Sequence, residues 1–265
     1  KLDEIARFNK ERWEELAQAG VEYSRPFLEL DESTAQKVFN PQDKLGDVTG
    51  KDVLCLAAGG GQQSVAFGLM GANVTVLDLS ETQLQRDNEA AFHYGLNIET
   101  HQGDMRDLSR FEPNSFDLVW QAHSINFVPE VGEVFQQVAR VLRDGGGYRL
   151  HCTNPFTHSI LDEKWNGEGY LLKDAYADGE ITYPDAHWDV EGYDGQNHRI
   201  VGPREFRHTL GTLVNGLIEN GFTIDGLWEH TSNVANPVPG SWDHFKSIAA
   251  PWITFLSTHR SEDVH

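Results

Sequence analysis

Val53-Leu54-Cys55-Leu56-Ala57-Ala58-Gly59-Gly60-Gly61 is the stretch that decides the fold. Four apolar residues in a row read as a strand buried on both faces, as the centre of a parallel sheet requires. The glycines that follow close a tight turn and keep side chains away from a ligand lying across the strand end. Residues 62–70 then read as a helix, and residues 74–79 as a second buried strand that finishes in Asp78. A carboxylate in that place can accept hydrogen bonds from both hydroxyls of a ribose. With Asp104 near the end of a third strand, the turn and the two acids outline a nucleotide pocket.

Outward from this stretch, strands and helices alternate, which implies an α/β fold built on a parallel sheet. Ser80 is a good N-cap for a helix over 81–94, and Gly95 a good stop. Residues 98–103 and 116–122 read as strands three and four. An amphipathic helix over 130–142 leads through Gly145-Gly146-Gly147 to a fifth strand at 148–153. The pattern then breaks. Residues 154–201 are rich in Gly, Asp, Tyr, Trp and His and show little helical or strand periodicity. A segment of that length inside a domain usually serves binding. Residues 205–220 read as a helix stopped by Gly221, and 222–229 and 252–259 as two last strands with a loop at 236–240 between them. At the other end, residues 2–19 have helical spacing, with Ile5, Phe8, Trp13 and Leu16 available for one face.

Composition narrows the classes. A chain of 265 residues, 39% hydrophobic and with seven tryptophans, has ample material for a core. It contains no apolar run long enough to span a membrane. The charged, helical N-terminus lacks the apolar segment of a secretory signal, and Cys55 and Cys152 fall in central strands as buried thiols, so a cytoplasmic setting is expected. Twenty-one basic against 41 acidic side chains give a formal charge of −20, which disfavours nucleic acid as a partner. The bland meaning of that charge is solubility; the sharper one is a preference for neutral or cationic substrates. Oligomeric state is not legible.

Taken together, these residues resemble the class I S-adenosylmethionine-dependent methyltransferases, with specific motifs over 53–154 and a looser likeness over 203–260. The resemblance implies a Rossmann-like sheet of seven strands, the last antiparallel, with helices on both faces and a substrate-side insertion at about 155–202. Residues 1–46 would form a helical lid and 47–265 the methyltransferase domain. It also implies S-adenosyl-L-methionine as cofactor and a small molecule as methyl acceptor. In that layout the turn at Ala57, Gly59 and Gly61 meets the methionine portion, with Gln62 and Gln63 able to bond its carboxylate or ammonium. Asp78, with Leu79 beside it, takes the ribose. Gly103-Asp104-Met105 takes the adenine, and Gln121, Ala122 and His123 line the pocket beneath the methyl group. The chain departs from the family pattern in two places: Cys55 stands where an acid is common, and Ala57 where glycine is common.

For catalysis, His123 after strand four is a candidate base or acceptor contact, and the resemblance adds His208 at the start of the late helix. His151, inside strand five, reads as a core residue. Candidate acceptor-binding residues are Trp13 and Tyr23 in the lid, Asn154 after strand five, and His187, Trp188 and Tyr193 in the insertion, where His198 also falls. No Cys-x-x-Cys or His-Glu-x-x-His spacing suggests a metal, and no Gly-x-Ser-x-Gly elbow suggests a hydrolase. Gly59-x-Gly61-x-x-Ser64 imitates a dinucleotide fingerprint, but a Tyr-x-x-x-Lys dyad and a second nucleotide half are lacking, which disfavours a nicotinamide enzyme. A non-catalytic protein that binds the same cofactor is the remaining alternative.

Overall fold

The computed structural model describes residues 2–158, 160 and 165–261, so part of the predicted insertion, at 159 and 161–164, lies outside the described residues. Two helices come first, α1 (Glu4–Ala19) and α2 (Glu32–Phe39). The alternating unit follows: β1 (Asp52–Leu56), α3 (Gln63–Leu69), β2 (Asn73–Asp78), α4 (Glu81–Tyr94), β3 (Ile98–Gln102), β4 (Phe116–Gln121), α5 (Val131–Val141) and β5 (Leu142–Thr153). Short strands β6 (Gly179–Glu180), β7 (His187–Glu191), β8 (Asn197–Val201) and β9 (Phe206–Arg207) occupy the insertion and its exit. The chain closes with α6 (Leu210–Glu219), β10 (Phe222–His230), α7 (Trp242–Ile248) and β11 (Trp252–His259).

The main sheet has seven strands in the order β10-β11-β5-β4-β1-β2-β3, with β11 antiparallel to both neighbours, as expected. Its apolar runs bury both faces. Leu54, Leu56, Val119, Tyr148 and Leu150 pack with Phe135 and Val138 of α5 and Leu213 and Leu217 of α6. Val53, Cys55, Val76 and Trp120 pack with Phe67 of α3 and Ala35 and Phe39 of α2. Reversal of chain order about β1 and β4 leaves a crevice at their carboxyl ends, where ligands of such sheets bind.

Three expectations are corrected, and one element, α7, was not foreseen. The late helix starts at Leu210, not 205, because Phe206–Arg207 pairs with Gly179–Glu180 and Thr209 caps the helix through its hydroxyl, which accepts from the Thr212 N–H. The insertion is not free of strands: β7 and β8 form a hairpin whose turn contains Asp194-Gly195. A short helix, α7, follows the 236–240 loop. In α1 the buried face is Ala6, Asn9, Leu16 and Ala17, while Ile5 and Phe8 are half-exposed. Asn9 is the fastening point, donating to Phe127 O and accepting from Arg204 N.

Candidate functional site

The glycine turn is held by a half-buried and a buried carboxylate. Gly59 N–H donates to Asp78 Oδ2 at 2.9 Å, and Gly60 and Gly61 N–H donate to the two oxygens of Asp87, each at 3.0 Å. Ser64 Oγ donates to Asp87 as well, at 2.5 Å. Asp87 is fully buried on α4, and desolvation pushes its pKa up to about 7 against the pull of these donors. Its charge also acts on Cys55. At Gly61 the reason for glycine is packing: φ is +74°, and a Cβ would stand 2.8 Å from Arg86 O. At Gly59 a Cβ would stand 2.7 Å from Gln83 Cβ and 3.1 Å from Asp78, displacing the carboxylate itself. Ala57 adopts a left-handed φ of +46°, the conformation that explains why glycine is common there.

A cavity of about 630 Å³ opens over these strand ends. It gathers Ala57, Gly59, Gln62 and Gln63 from the first turn, Asp78 and Leu79 from β2, and Gly103, Asp104, Met105 and Ala122 from beyond β3 and β4. Asp78 accepts from Gly59 N–H and Ser80 N–H, which leaves lone pairs free, and burial pushes its carboxyl pKa up. Gln63 Oε1 and Gln83 Oε1 are buried acceptors with no hydrogen-bond partner. Two unfilled acceptors beside the glycine turn suit an ammonium group, so the donor set fits the methionine end of S-adenosylmethionine. Gln83 was not foreseen.

Other expected cofactor residues are placed differently. Gly61 and Gln121 lie outside the cavity lining. Strand alternation turns Trp120 and Ala122 toward the cavity and Gln121 to the opposite face, where its amide meets Tyr148 OH, Ser124 Oγ and Met105 Sδ. The amide N–H groups of Gln62 go to Tyr23 O and Arg25 O, tying the turn to the N-terminal segment. The Asp104 carboxylate is engaged by Arg106, whose Nη1 also meets Asp3, the N-cap of α1, at 2.7 Å.

The far end of the cavity is aromatic and imidazole-rich. Trp13 stands edge-on to Tyr23, Phe127 and Trp188 with centroids 6.0, 5.0 and 6.0 Å away, and all four rings line the cavity. His123 also lines it, with Nε2 3.4 Å from Thr153 Oγ1 and Nδ1 buried without a partner. Burial holds its pKa down to about 4. His151 lines the cavity too, which corrects its reading as a core residue: Arg149, His151 and Thr153 share one face of β5, and Tyr148, Leu150 and Cys152 the other. Burial, helped by the Arg149 charge, pulls His151 down to about 2.

The remaining candidates are not brought to this wall. His208 is buried before α6 with Nε2 3.3 Å from Ile125 O, because the helix starts later than expected. Asn154 holds a turn, its Oδ1 accepting from Phe156 N–H. His187 points away from Trp188 on β7 and pairs with Asp185 on the surface. His198 pairs with Asp194. Tyr193, at the hairpin tip, packs over Arg25 and Arg86 and so clamps the insertion to the N-terminal segment. No group of three His, Cys, Asp or Glu side chains among the described residues is placed to hold a metal ion, and no described helix is long and apolar enough to cross a membrane.

Sheet order, turn and acid placement together define a class I S-adenosylmethionine-dependent methyltransferase. The comparisons agree, and the chain belongs to this family: residues 54–150 match the family described as methyltransferase domain. An uncharacterized methyltransferase of Bacillus subtilis, YbaJ, is 36% identical over 192 residues, covering 71% of this chain and 72% of that protein. A ubiquinone biosynthesis O-methyltransferase of Pseudomonas syringae is 31% identical over 143 residues, 54% of this chain but only 59% of that enzyme's length. Among solved structures, an S-adenosylmethionine dependent methyltransferase from Mesorhizobium loti matches with a TM-score of 0.58 at 18% identity, covering 88% of this chain and all of that one. Geranyl diphosphate C-methyltransferase from Streptomyces coelicolor matches at 0.56 and 15%, covering 85% and 77%. Both likenesses are of fold.

Proposed function

We propose that this methyltransferase acts on a small-molecule acceptor through an oxygen, nitrogen or sulfur nucleophile, and that the acceptor lies against the wall of Trp13, Phe127, Trp188 and His123. One observation carries this reading: a single cavity runs from the glycine turn to the aromatic wall, so donor and acceptor share one space. The Pseudomonas relative, an O-methyltransferase of ubiquinone biosynthesis by name, supports a small-molecule acceptor.

When bound, S-adenosylmethionine would supply a methyl group activated on a sulfonium, its S–CH3 bond breaking as the acceptor–CH3 bond forms and S-adenosylhomocysteine leaving. The protein's share is orientation and exclusion of water. Asp78 would hold the ribose, Gln63 and Gln83 the ammonium, and Met105 the adenine end. Asp104 reaches the adenine only as Arg106 turns aside, since Arg106 engages its carboxylate. Residues 1–46 and the hairpin of the 155–202 insertion close over the cavity, with Trp13, Tyr23 and Trp188 as the covering rings. His123, neutral at pH 7 and with a free Nδ1, accepts the acceptor's proton.

The test is incubation with S-adenosylmethionine and panels of small phenols, amines and thiols, followed by mass detection of a 14-dalton gain. Methylation of one class, reduced in His123→Ala, is the expected result. Cofactor binding with no product from any class would overturn the reading in favour of a non-catalytic binder.

A further inference from the structure

The cavity wall contains a cation that no carboxylate among the described residues balances. Of the two arginines lining the cavity, Arg106 is paired with Asp104 and Asp3. Arg149 has no acidic partner among the described residues. Its guanidinium lies 4.2 Å over the Trp120 ring, and its hydrogen bonding is a single long contact, Nη1 to Gln121 O at 3.5 Å. Burial lowers its pKa to about 10, so it stays charged at neutral pH. The indole N–H of Trp120 is also buried and without an acceptor. Buried cations and buried donors are normally paired, because leaving them bare is costly.

The surroundings offer nothing to fill the gap. His151 and His230 share the Thr254 hydroxyl, at 2.9 and 2.7 Å, and desolvation together with the Arg149 charge draws both imidazoles below their ordinary pKa. Lys44 sits over Trp228 and adds positive charge on the same side. Glu205, the acid on the acceptor side of the lining, is engaged by His158 and Tyr183. Among the described residues no acidic side chain forms an ion pair with Arg149.

We propose that Arg149 and the Trp120 N–H form an anion subsite, and that the methyl acceptor is a small planar acid whose carboxylate docks on Arg149. A guanidinium fork matches a carboxylate in two parallel hydrogen bonds, and the ring of such an acid packs against Trp120 and Trp252, which both line this side. The negative net charge sets the field at a distance; the local donors decide what docks. The proposal rests on the cavity being the acceptor site of the methyltransferase.

The experiment is calorimetry on the full chain saturated with S-adenosylhomocysteine, titrated with benzoate and with its neutral isostere benzamide. Benzoate is expected to bind wild type at least about tenfold more tightly than benzamide, as a charge-assisted pair implies. Arg149→Gln should erase the preference with S-adenosylhomocysteine affinity unchanged, and Arg149→Lys should keep part of it. In wild type, added salt should weaken benzoate and leave benzamide unaffected, which tests the charge without any variant. Equal or absent binding of the two probes to saturated wild type, or a preference that survives in Arg149→Gln, overturns the subsite alone. Failure of S-adenosylhomocysteine to bind at all overturns the cofactor reading beneath it.

Discussion

Replacing Asp87 by alanine should unsettle the glycine turn although Asp87 does not line the cavity. The substitution deletes the acceptor for Gly60 N–H, Gly61 N–H and Ser64 Oγ in a fully buried place. A hydrogen bond to a charged group contributes roughly 1.5–3 kcal/mol, and each buried donor left bare costs about 1–3 kcal/mol. These terms overlap, and the cost of burying the carboxylate is recovered, so a net loss of about 3 kcal/mol is expected. For a chain of this size that is a fall in Tm of roughly 6–12 °C. Cofactor affinity should fall as well, by about tenfold, since binding must then order the turn. Thermal unfolding, with and without S-adenosylhomocysteine, and calorimetry read both effects.

The pH dependence supplies a second readout of Asp87. A carboxyl whose folded pKa is raised to about 7 holds its proton more tightly in the folded state than in the unfolded chain. Its contribution to stability is therefore greatest below about pH 4 and is lost as pH rises to about 7. The stability of wild type relative to Asp87→Asn should therefore fall as pH rises across this window. An Asp87→Ala variant with unchanged Tm and unchanged cofactor affinity would refute the reasoning.

Three further expectations concern the same site. With His123 held near pKa 4, kcat should be level from pH 6 to 8 and decline only below about pH 5; a titration centred near 6.5 would show that another histidine is the base. Gly61→Ala should destabilise by more than about 2 kcal/mol, because it combines a left-handed φ with a 2.8 Å approach to Arg86 O, and a variant with wild-type Tm counts against that packing. Ala57→Gly should raise stability by up to about 1 kcal/mol by relieving the left-handed strain, less the entropy glycine adds to the unfolded chain; a clear loss of Tm would contradict it.

The sheet was legible because its strands are apolar on both faces, as Val53 to Leu56 shows, and a parallel core leaves few other ways to write such runs. The acid at Asp78 was legible for the same reason, since it ends a strand whose register is fixed. The anchoring of the turn was not. Asp87 lies on α4 amid buried Gln83, Leu84, Ala90 and Ala91, and one acid in a buried helical stripe is the signal that was present. The polar wall was equally readable: Arg149, His151 and Thr153 alternate with Tyr148, Leu150 and Cys152, so if one set is core the other faces a cavity. His187 and Trp188 follow the same rule on β7, and Asp194-Gly195 is the turn signal that marks their hairpin. What no local pattern conveyed was tertiary: the pairing of β6 with β9 that delays α6 past His208, and the bridge from Asp3 through Arg106 to Asp104.

The most direct measurement is a calorimetric titration of wild type and Asp78→Ala with S-adenosylmethionine, with NAD as the competing ligand. Wild type should bind S-adenosylmethionine at one site and NAD not at all. Asp78→Ala, still folded by its Tm, should bind about ten- to a hundredfold more weakly, the loss expected for hydrogen bonds to a charged group. Binding of NAD in preference to S-adenosylmethionine, or equal S-adenosylmethionine affinity in wild type and Asp78→Ala, would contradict the account.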